Sequence, residues 1–138
     1  MSDSLVGQGK LTDIVFFGMR ASIGIIFIIH GMAKFSPGFA EVLPRMGLQP
    51  ELQIPIALAE LIPGILLFIG VLTRLSGALL SIIMLGAIFM IKGVTSLTGD
   101  MGYEFDLILL ASSLVIMIAG PGRVSISHII QKIPRPLQ

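Results

Sequence analysis

The sequence predicts an all-α integral membrane protein: a four-helix bundle that occupies residues 1–138 as a single domain and ends in a short helix on the membrane surface. Four long apolar stretches alternate with short polar segments. Hydrophobic residues make up 54% of the chain and charged residues 12%, whereas charged residues make up about 25% of a typical soluble domain. The stretches also lack the polar face that a soluble helix presents to water. The composition therefore excludes an ordinary soluble fold.

The first predicted span covers residues 14–34. A helix of about 20 residues rises about 30 Å, which is the thickness of the hydrocarbon core of a bilayer. The apolar run continues into His30 and Lys34 without the small-residue cleavage site that ends a signal peptide. We therefore expect a retained membrane helix.

Three further spans are predicted at residues 54–73, 75–91 and 103–119. The last two are close to the lower limit of about 17 residues for a membrane helix. Thr73 and Arg74 leave room only for a tight turn, so the second and third spans should form an antiparallel hairpin. The segment 120–122 (GPG) should end the fourth span, because glycine and proline terminate helices.

The tail predicts a short amphipathic helix over residues 125–133. Isoleucines recur there at positions 126, 129, 130 and 133, the spacing of one helix face, and Ser125 is placed to cap the start. Such a helix lies in the membrane interface. The alternative is an ordinary frayed tail.

The distribution of basic residues predicts the orientation, because Lys and Arg concentrate in the cytoplasmic loops of multi-pass proteins. Five lie on one side of the predicted membrane and three on the other: Lys10, Arg74, Arg123, Lys132 and Arg135 against Lys34, Arg45 and Lys92. We therefore expect a multi-pass protein of the cell membrane with both termini in the cytoplasm.

Charged residues within or beside the spans are the main indication of a site. A charge at the centre of a membrane helix costs roughly 2.5–3.5 kcal/mol even on lenient scales, so such residues usually have a partner or a task. The predicted intramembrane cluster is Arg20, His30, Lys34, Glu60, Lys92, Glu104 and Asp106. The topology brings all of them except Arg20 to the outer half of the bundle, and it does not say which of them pair. Arg20 lies near the inner end of the first span, where it extends to the lipid headgroups or reaches an acid across the bundle.

Glu60, Pro63 and Gly64 form the most site-like group in the second span. Pro63 cannot bond to the carbonyl of Ala59 and crowds it, and Gly64 allows a neighbouring helix or a flat ligand to approach. The three residues are candidates for cofactor binding, and Glu60 and His30 are candidates for proton transfer. The structural alternative is that Pro63 only curves the helix and Glu60 only bonds to His30 or Lys34.

The composition limits the chemistry that the chain carries by itself. It has no cysteine, which excludes thiolate metal sites and thiol redox relays. Its eight methionines are scattered along the sequence. Apolar packing is therefore the preferred role for them, ahead of a soft copper site near His30. The net charge of +1 gives no reason to expect nucleic acid. We expect no metal site and no intrinsic cofactor, so that any electrons move through something the protein binds.

A faint internal symmetry suggests two duplicated helical hairpins. In each half a helix with a basic outer end is followed by a helix with an acid near its outer end and an arginine at its inner end: Lys34, Glu60 and Arg74, then Lys92, Glu104 and Arg123. Because the pattern depends on only these six residues, the alternative is that it arose by chance.

An ordered set of motifs resembles the DoxX family of small four-helix membrane proteins. The set covers about residues 18–127 and comprises Arg20 leading to Phe27, His30-Gly31 and Lys34, then 60–64 (ELIPG), 70–74 (GVLTR), 102–104 (GYE), and 120–122 (GPG) with Ser125. One position departs from the family pattern, because Ser127 stands where an aspartate often follows.

The resemblance implies a membrane oxidoreductase system, such as a terminal quinol oxidase or a thiosulfate:quinone oxidoreductase. It also favours pairing of Arg20 within the bundle. Three hypotheses follow. The chain is a non-catalytic, pocket-shaping subunit of a terminal oxidase, a sulfur-compound:quinone oxidoreductase or a membrane monooxygenase, with other membrane subunits and lipid as partners. Alternatively, it is a quinone-reactive subunit in which Glu60 and His30 shuttle protons, or it is a carrier of protons or small molecules. The first is preferred over a stand-alone enzyme.

Overall fold

The computed structural model describes residues 9–100, 102–122, 129 and 134–137, and the regular structure in this part of the chain is helical. The helices are α1 (Lys10–Ala33), α2 (Pro37–Val42), α3 (Gln53–Ile69), α4 (Thr73–Gly86) and α5 (Glu104–Ala119). A π-helical turn, Ala87–Ile91, continues α4, and short 3-10 turns cover Leu43–Met46, Pro50–Leu52 and Arg135–Leu137. The fold is therefore all-α, as predicted.

Three of the described helices are long and apolar enough to cross a membrane: Lys10–Ala33, Pro50–Ile69 and Thr73–Ile91. They correspond to the first three predicted spans. The fourth predicted span corresponds to α5, whose 16 residues rise about 24 Å at 1.5 Å per residue. The predicted helix over residues 125–133 lies outside the described part of the chain, apart from position 129.

The turn between the second and third spans differs slightly from the prediction. It is formed by residues 70–72, and Thr73 and Arg74 already belong to α4. Gly70 ends α3 with a positive φ of 77°, a conformation that glycine adopts without a steric penalty. The hairpin was thus predicted correctly, but its turn lies three residues earlier.

Helix pairs pack closely where glycine removes the side chain. α1 packs against α3, α3 against α4, and α4 against α5. A Cβ on Gly31 of α1 would lie 2.7 Å from the backbone N of Leu61 in α3, and one on Gly77 of α4 would lie 2.9 Å from the carbonyl O of Ser113 in α5. Small residues of this kind let the backbones of membrane helices approach each other.

Apolar side chains both fill the interior and cover the outside. Phe27, Leu67 and Leu80 are fully buried between the helices. Large apolar side chains also point outward, such as Ile82, which is 66% exposed, and Ile118, which is 73% exposed. An apolar exterior over helices whose backbone bonds are made internally is what a lipid environment requires.

The connection between α1 and α3 is a folded cap rather than an open loop. This cap segment, residues 35–52, contains α2 and two 3-10 turns and buries Leu43 completely. At its junction with α3, the Gln53 side-chain amide donates hydrogen bonds to the carbonyls of Lys34, at 3.0 Å, and Ser36, at 2.7 Å. The cap segment is thereby fixed across the end of the helices where α1 finishes and α3 begins.

Candidate functional site

A cavity of about 740 Å³ lies at the end of the molecule where α1 and the π turn finish and where α3 and α5 begin. We call this the cavity end. The cap segment forms one of its walls through Phe39, Leu43 and Met46. The cavity brings together five of the predicted site residues: His30, Lys34, Glu60, Lys92 and Asp106.

Lys34 and Glu60 form the first acid–base pair on the cavity wall. Lys34 Nζ lies 2.7 Å from Glu60 Oε2, and the side chains are 24% and 4% exposed, respectively. Lys34 follows directly after α1, and the close contact of Gly31 with Leu61 keeps that end of α1 against α3. The ammonium also lies 5.6 Å from the centre of the Phe39 ring, in a cation–π contact. The buried group of this pair is therefore the carboxylate, and the ammonium is the more accessible one.

Lys92 and Asp106 form a second pair on the same cavity. Lys92 Nζ lies 2.5 Å from Asp106 Oδ2, and the side chains are 23% and 12% exposed. The contact has the distance of an ion pair but not the angles of a hydrogen bond. Lys92 Nζ also donates a hydrogen bond to the carbonyl of Gly102 at 2.9 Å. In this pair too the acid is the more buried partner.

The π turn places Lys92 at the cavity. It inserts an i to i−5 bond at the end of α4, where the amide of Lys92 donates to the carbonyl of Ala87 at 3.0 Å. Such turns are rare and occur frequently at functional sites. The apolar periodicity of the third span is compatible with an unbroken α-helix, so this turn could not be predicted from the sequence.

His30 lines the same cavity and contacts α5 across it. It lies in the last turn of α1, four residues before Lys34, and it is half-buried. Its ring contacts the Phe105 ring edge-on, with 5.7 Å between centroids and 72° between planes. Phe105 precedes Asp106 in α5, so this contact joins the α1–α3 side of the cavity to the α5 side.

The structure places three other predicted residues away from the cavity. Glu104 is exposed at the start of α5 and does not line the wall. Pro63 and Gly64 are buried on α3, and a Cβ on Gly64 would lie 2.9 Å from the backbone N of Ile28 in α1. Gly64 therefore accommodates a neighbouring helix and not a ligand, which corrects its assignment as a cofactor-binding candidate alongside Glu60.

Arg20 lies at the opposite end of the molecule, and its burial argues against extension to the headgroups, one of the two alternatives that the sequence left open. It is only 3% exposed, and its Nη1 donates a hydrogen bond to the carbonyl of Pro121. Arg74 approaches the same turn, since a Cβ on Gly120 would lie 3.0 Å from its Nε. Two arginines thus lie beside the C-terminal end of α5, where the helix dipole favours positive charge.

The apolar wall was not predicted as part of a site. Met46, Met84 and Met90 all line the cavity together with Phe39 and Phe105. Methionine adapts to flat or irregular ligands and makes favourable contacts with aromatic rings. Because Met46 is far in the sequence from Met84 and Met90, only the tertiary structure shows that the three share a surface.

The arrangement suits a neutral, largely apolar ligand that carries oxygen. Each ammonium is balanced by a carboxylate, and most of the wall is apolar. The volume lies within the range of about 300–1,000 Å³ that is usual for small-molecule sites. Among the described residues no three His, Asp or Glu converge as in a metal site, and the expectation of a metal-free site stays a prediction.

Comparisons with known proteins give one family and one curated relative. The DoxX family model matches residues 15–93, a range that contains Arg20, His30, Lys34, Glu60 and Lys92 and ends before Asp106. The chain is 34% identical over 115 residues to "Putative oxidoreductase CatD" of Bacillus subtilis (strain 168), which covers 82% of this chain and 84% of that protein. No solved structure gives a significant match.

Proposed function

This chain belongs to the DoxX family, and from that premise we propose that it is a small membrane subunit of an oxidoreductase complex whose cavity binds a quinone. The observation that carries the proposal is the cavity itself, which is apolar over most of its wall and holds two lysine–carboxylate pairs. The name of the Bacillus relative supports an oxidoreductase setting.

The proposed architecture is a four-helix membrane bundle with both termini in the cytoplasm. Three membrane-capable helices support it, and α5 is the fourth span, with a short length that suits a locally thinned bilayer. A duplicated hairpin is supported by the two ion pairs, since each half supplies one lysine and one buried acid. The acid of the second half is then Asp106, whereas the sequence pattern had suggested Glu104.

The residues of the cavity would hold a quinone in distinct ways. Lys34 and Lys92 would be the hydrogen-bond donors available to its oxygens, and Phe39, Met84 and Met90 would pack against its ring. A bound quinone supplies two-electron chemistry coupled to two protons. Glu60, held at 2.7 Å by Lys34, is the proton-transfer candidate, because a carboxylate that lines the cavity can accept or return a proton. His30, four residues before Lys34 and on the same wall, is the candidate relay between Glu60 and the exterior.

We prefer a pocket-shaping subunit of a complex over a stand-alone enzyme. The chain has no cysteine to carry electrons, so a partner subunit would supply the electron donor or acceptor. In that complex this chain would contribute the ligand cavity and the proton path.

Mild extraction of the native complex tests the proposal. We expect the chain to co-purify with other membrane subunits in fixed stoichiometry and to retain about one quinone per chain, as measured by mass spectrometry of the extracted lipids. The purified complex should also bind added dimethyl-para-naphthoquinone, a quinone whose methyl groups prevent its addition to lysine. A complex that retains no quinone and does not bind this probe would contradict the proposal.

A further inference from the structure

The cavity contains two accessible ammonium groups. The proposed proton transfer at the Lys34–Glu60 pair requires only one of them, so the second ammonium group calls for a role of its own. Lys34 and Lys92 are 24% and 23% exposed, whereas their carboxylate partners are 4% and 12% exposed. The lysines reach the cavity from different helix pairs. Lys34 belongs to the α1–α3 side, and Lys92 belongs to the side formed by the π turn and α5.

Each ammonium has hydrogen-bonding capacity beyond the contacts made within the protein. A lysine ammonium carries three N–H donors. Lys34 Nζ bonds to Glu60 Oε2, and Lys92 Nζ contacts Asp106 and bonds to the carbonyl of Gly102. At least one N–H of each lysine is therefore left over to donate to a ligand in the cavity.

The charge balance of the cavity further limits the class of ligand that it can bind. Because each lysine is paired with one acid, the two pairs carry no net charge, and the wall offers neither an anion nor a cation an uncompensated partner. A neutral ligand with acceptor oxygens satisfies the free donors without adding an uncompensated charge to an apolar site.

We propose that the cavity selects a flat apolar ring with two separate acceptor oxygens, one bound by Lys34 and the other by Lys92. This inference rests on the proposed function and specifies it, since it assigns a ligand oxygen to each ion pair. The edge-on contact of His30 with Phe105 lies between the two sides and provides an aromatic surface for the ring. Lys92 and Asp106 are then specificity-determining residues for the second oxygen.

A ligand series on the wild-type protein tests the inference without any substitution. Equilibrium binding to the purified protein in nanodiscs is measured for dimethyl-para-naphthoquinone, which has two carbonyls, for tetralone, which has one, and for dimethylnaphthalene, which has none. We expect affinity to fall about tenfold or more at each step, because a hydrogen bond to a charged group contributes roughly that factor.

A paired substitution then locates the second oxygen. Lys92→Met with Asp106→Asn removes the ammonium together with its carboxylate partner, so that neither group is left buried without the other. We expect this variant to bind the quinone about tenfold more weakly, with an affinity near that of tetralone, and to bind tetralone as the wild type does. Lys10→Met, an exposed lysine at the opposite end of α1, is the matched control and should bind all three compounds normally.

The outcomes separate this inference from the proposed function. Wild-type protein that binds the quinone and tetralone equally well would overturn the two-oxygen inference and leave the quinone site standing. Wild-type protein that binds none of the three compounds would overturn both. Loss of binding for all three compounds in the paired variant, with its thermal unfolding temperature unchanged, would show that Lys92 does not act on one oxygen and would also overturn the inference.

Discussion

The charged residues in the apolar segments are buried for two different reasons. At the cavity end, Glu60 and Asp106 are buried acids held by lysines that remain accessible. At the opposite end, Arg20 is buried and bonds to the backbone of the turn after α5. The first arrangement leaves titratable groups and donors facing a cavity, whereas the second satisfies helix-end carbonyls, so we assign chemistry to the first and stability to the second.

The substitution Glu60→Gln distinguishes a proton-transfer role of Glu60 from a structural role. The amide oxygen still accepts the hydrogen bond from Lys34, but the side chain no longer exchanges a proton. We expect normal assembly of the complex and a fall in quinone-linked turnover of about 100-fold or more, the usual contribution of a general acid or base. Turnover and subunit abundance are measured in the same membranes. Glu104→Gln is the matched control on an exposed acid and should retain full turnover.

Two results would contradict the assignment of Glu60. Normal turnover in Glu60→Gln would exclude a proton-transfer role for this residue. Loss of the chain from the membrane would instead indicate that the Lys34–Glu60 pair is mainly structural, because breaking a buried pair by removing one partner is strongly destabilising.

Arg20→Met tests the structural assignment at the opposite end. The substitution removes the hydrogen bond to Pro121 O, and we expect the free energy of unfolding to fall by about 1.5–3 kcal/mol, the contribution of a hydrogen bond to a charged group. The loss is measured by thermal or denaturant unfolding in detergent, with quinone binding unchanged. Arg45→Met, on an exposed arginine, should have no measurable effect. Equal stability of the two variants would show that the Arg20 contact contributes nothing.

At the scale of the elements, the cavity depends on how closely α1 approaches α3 and on how α4 ends. Gly31 brings α1 within contact of Leu61 one turn before Lys34, so the Lys34–Glu60 distance is set by a backbone-to-backbone contact. On the other side, the π turn sets the position of Lys92. Helix ends with defined geometry, rather than flexible loops, therefore hold both lysines.

Gly31→Ala should disrupt this contact. A Cβ there would lie 2.7 Å from the backbone of α3, so the helices must separate, and overpacking of this kind costs about 1–3 kcal/mol. We expect lower thermal stability and weaker quinone binding, because Lys34 moves away from Glu60. Gly18→Ala in the same helix meets no atom within 4 Å and should be neutral or slightly stabilising. Matching behaviour of the two variants would refute the close contact.

At the scale of the whole molecule, the cavity and the Arg20 contact lie at opposite ends of the helices. The proposed orientation places the cavity near the outer surface and Arg20 near the cytoplasm. A quinone would then enter from the lipid near the outer leaflet, and its protons would exchange on that side.

Cysteine labelling measures this orientation directly, because the chain has no native cysteine. Single cysteines at Gln49 and Ser96, both exposed near the cavity end, should react with an impermeant maleimide added to intact cells. A cysteine at Lys10, exposed at the opposite end, should react only after the cells are permeabilised. The reverse pattern would place the cavity on the cytoplasmic side.

The sequence by itself determined the all-α class, the approximate spans and the end at which most of the charges collect. Apolar runs of membrane length permit little except helices, because the backbone must satisfy its own hydrogen bonds in lipid. Alternation of the chain direction then places Lys34, Glu60, Lys92 and Asp106 at one end whatever the details of packing are.

Only the tertiary structure decided which charges pair and which residues form the wall. Glu104 and Asp106 are two positions apart, which is about 200° around a helix, and the rotation of α5 decides that Asp106 meets Lys92 while Glu104 is exposed. Likewise, the packing of α1 on α3 turns Gly64 away from the cavity. Helix rotation and close packing depend on contacts between residues that are far apart in the sequence, and no local pattern records them.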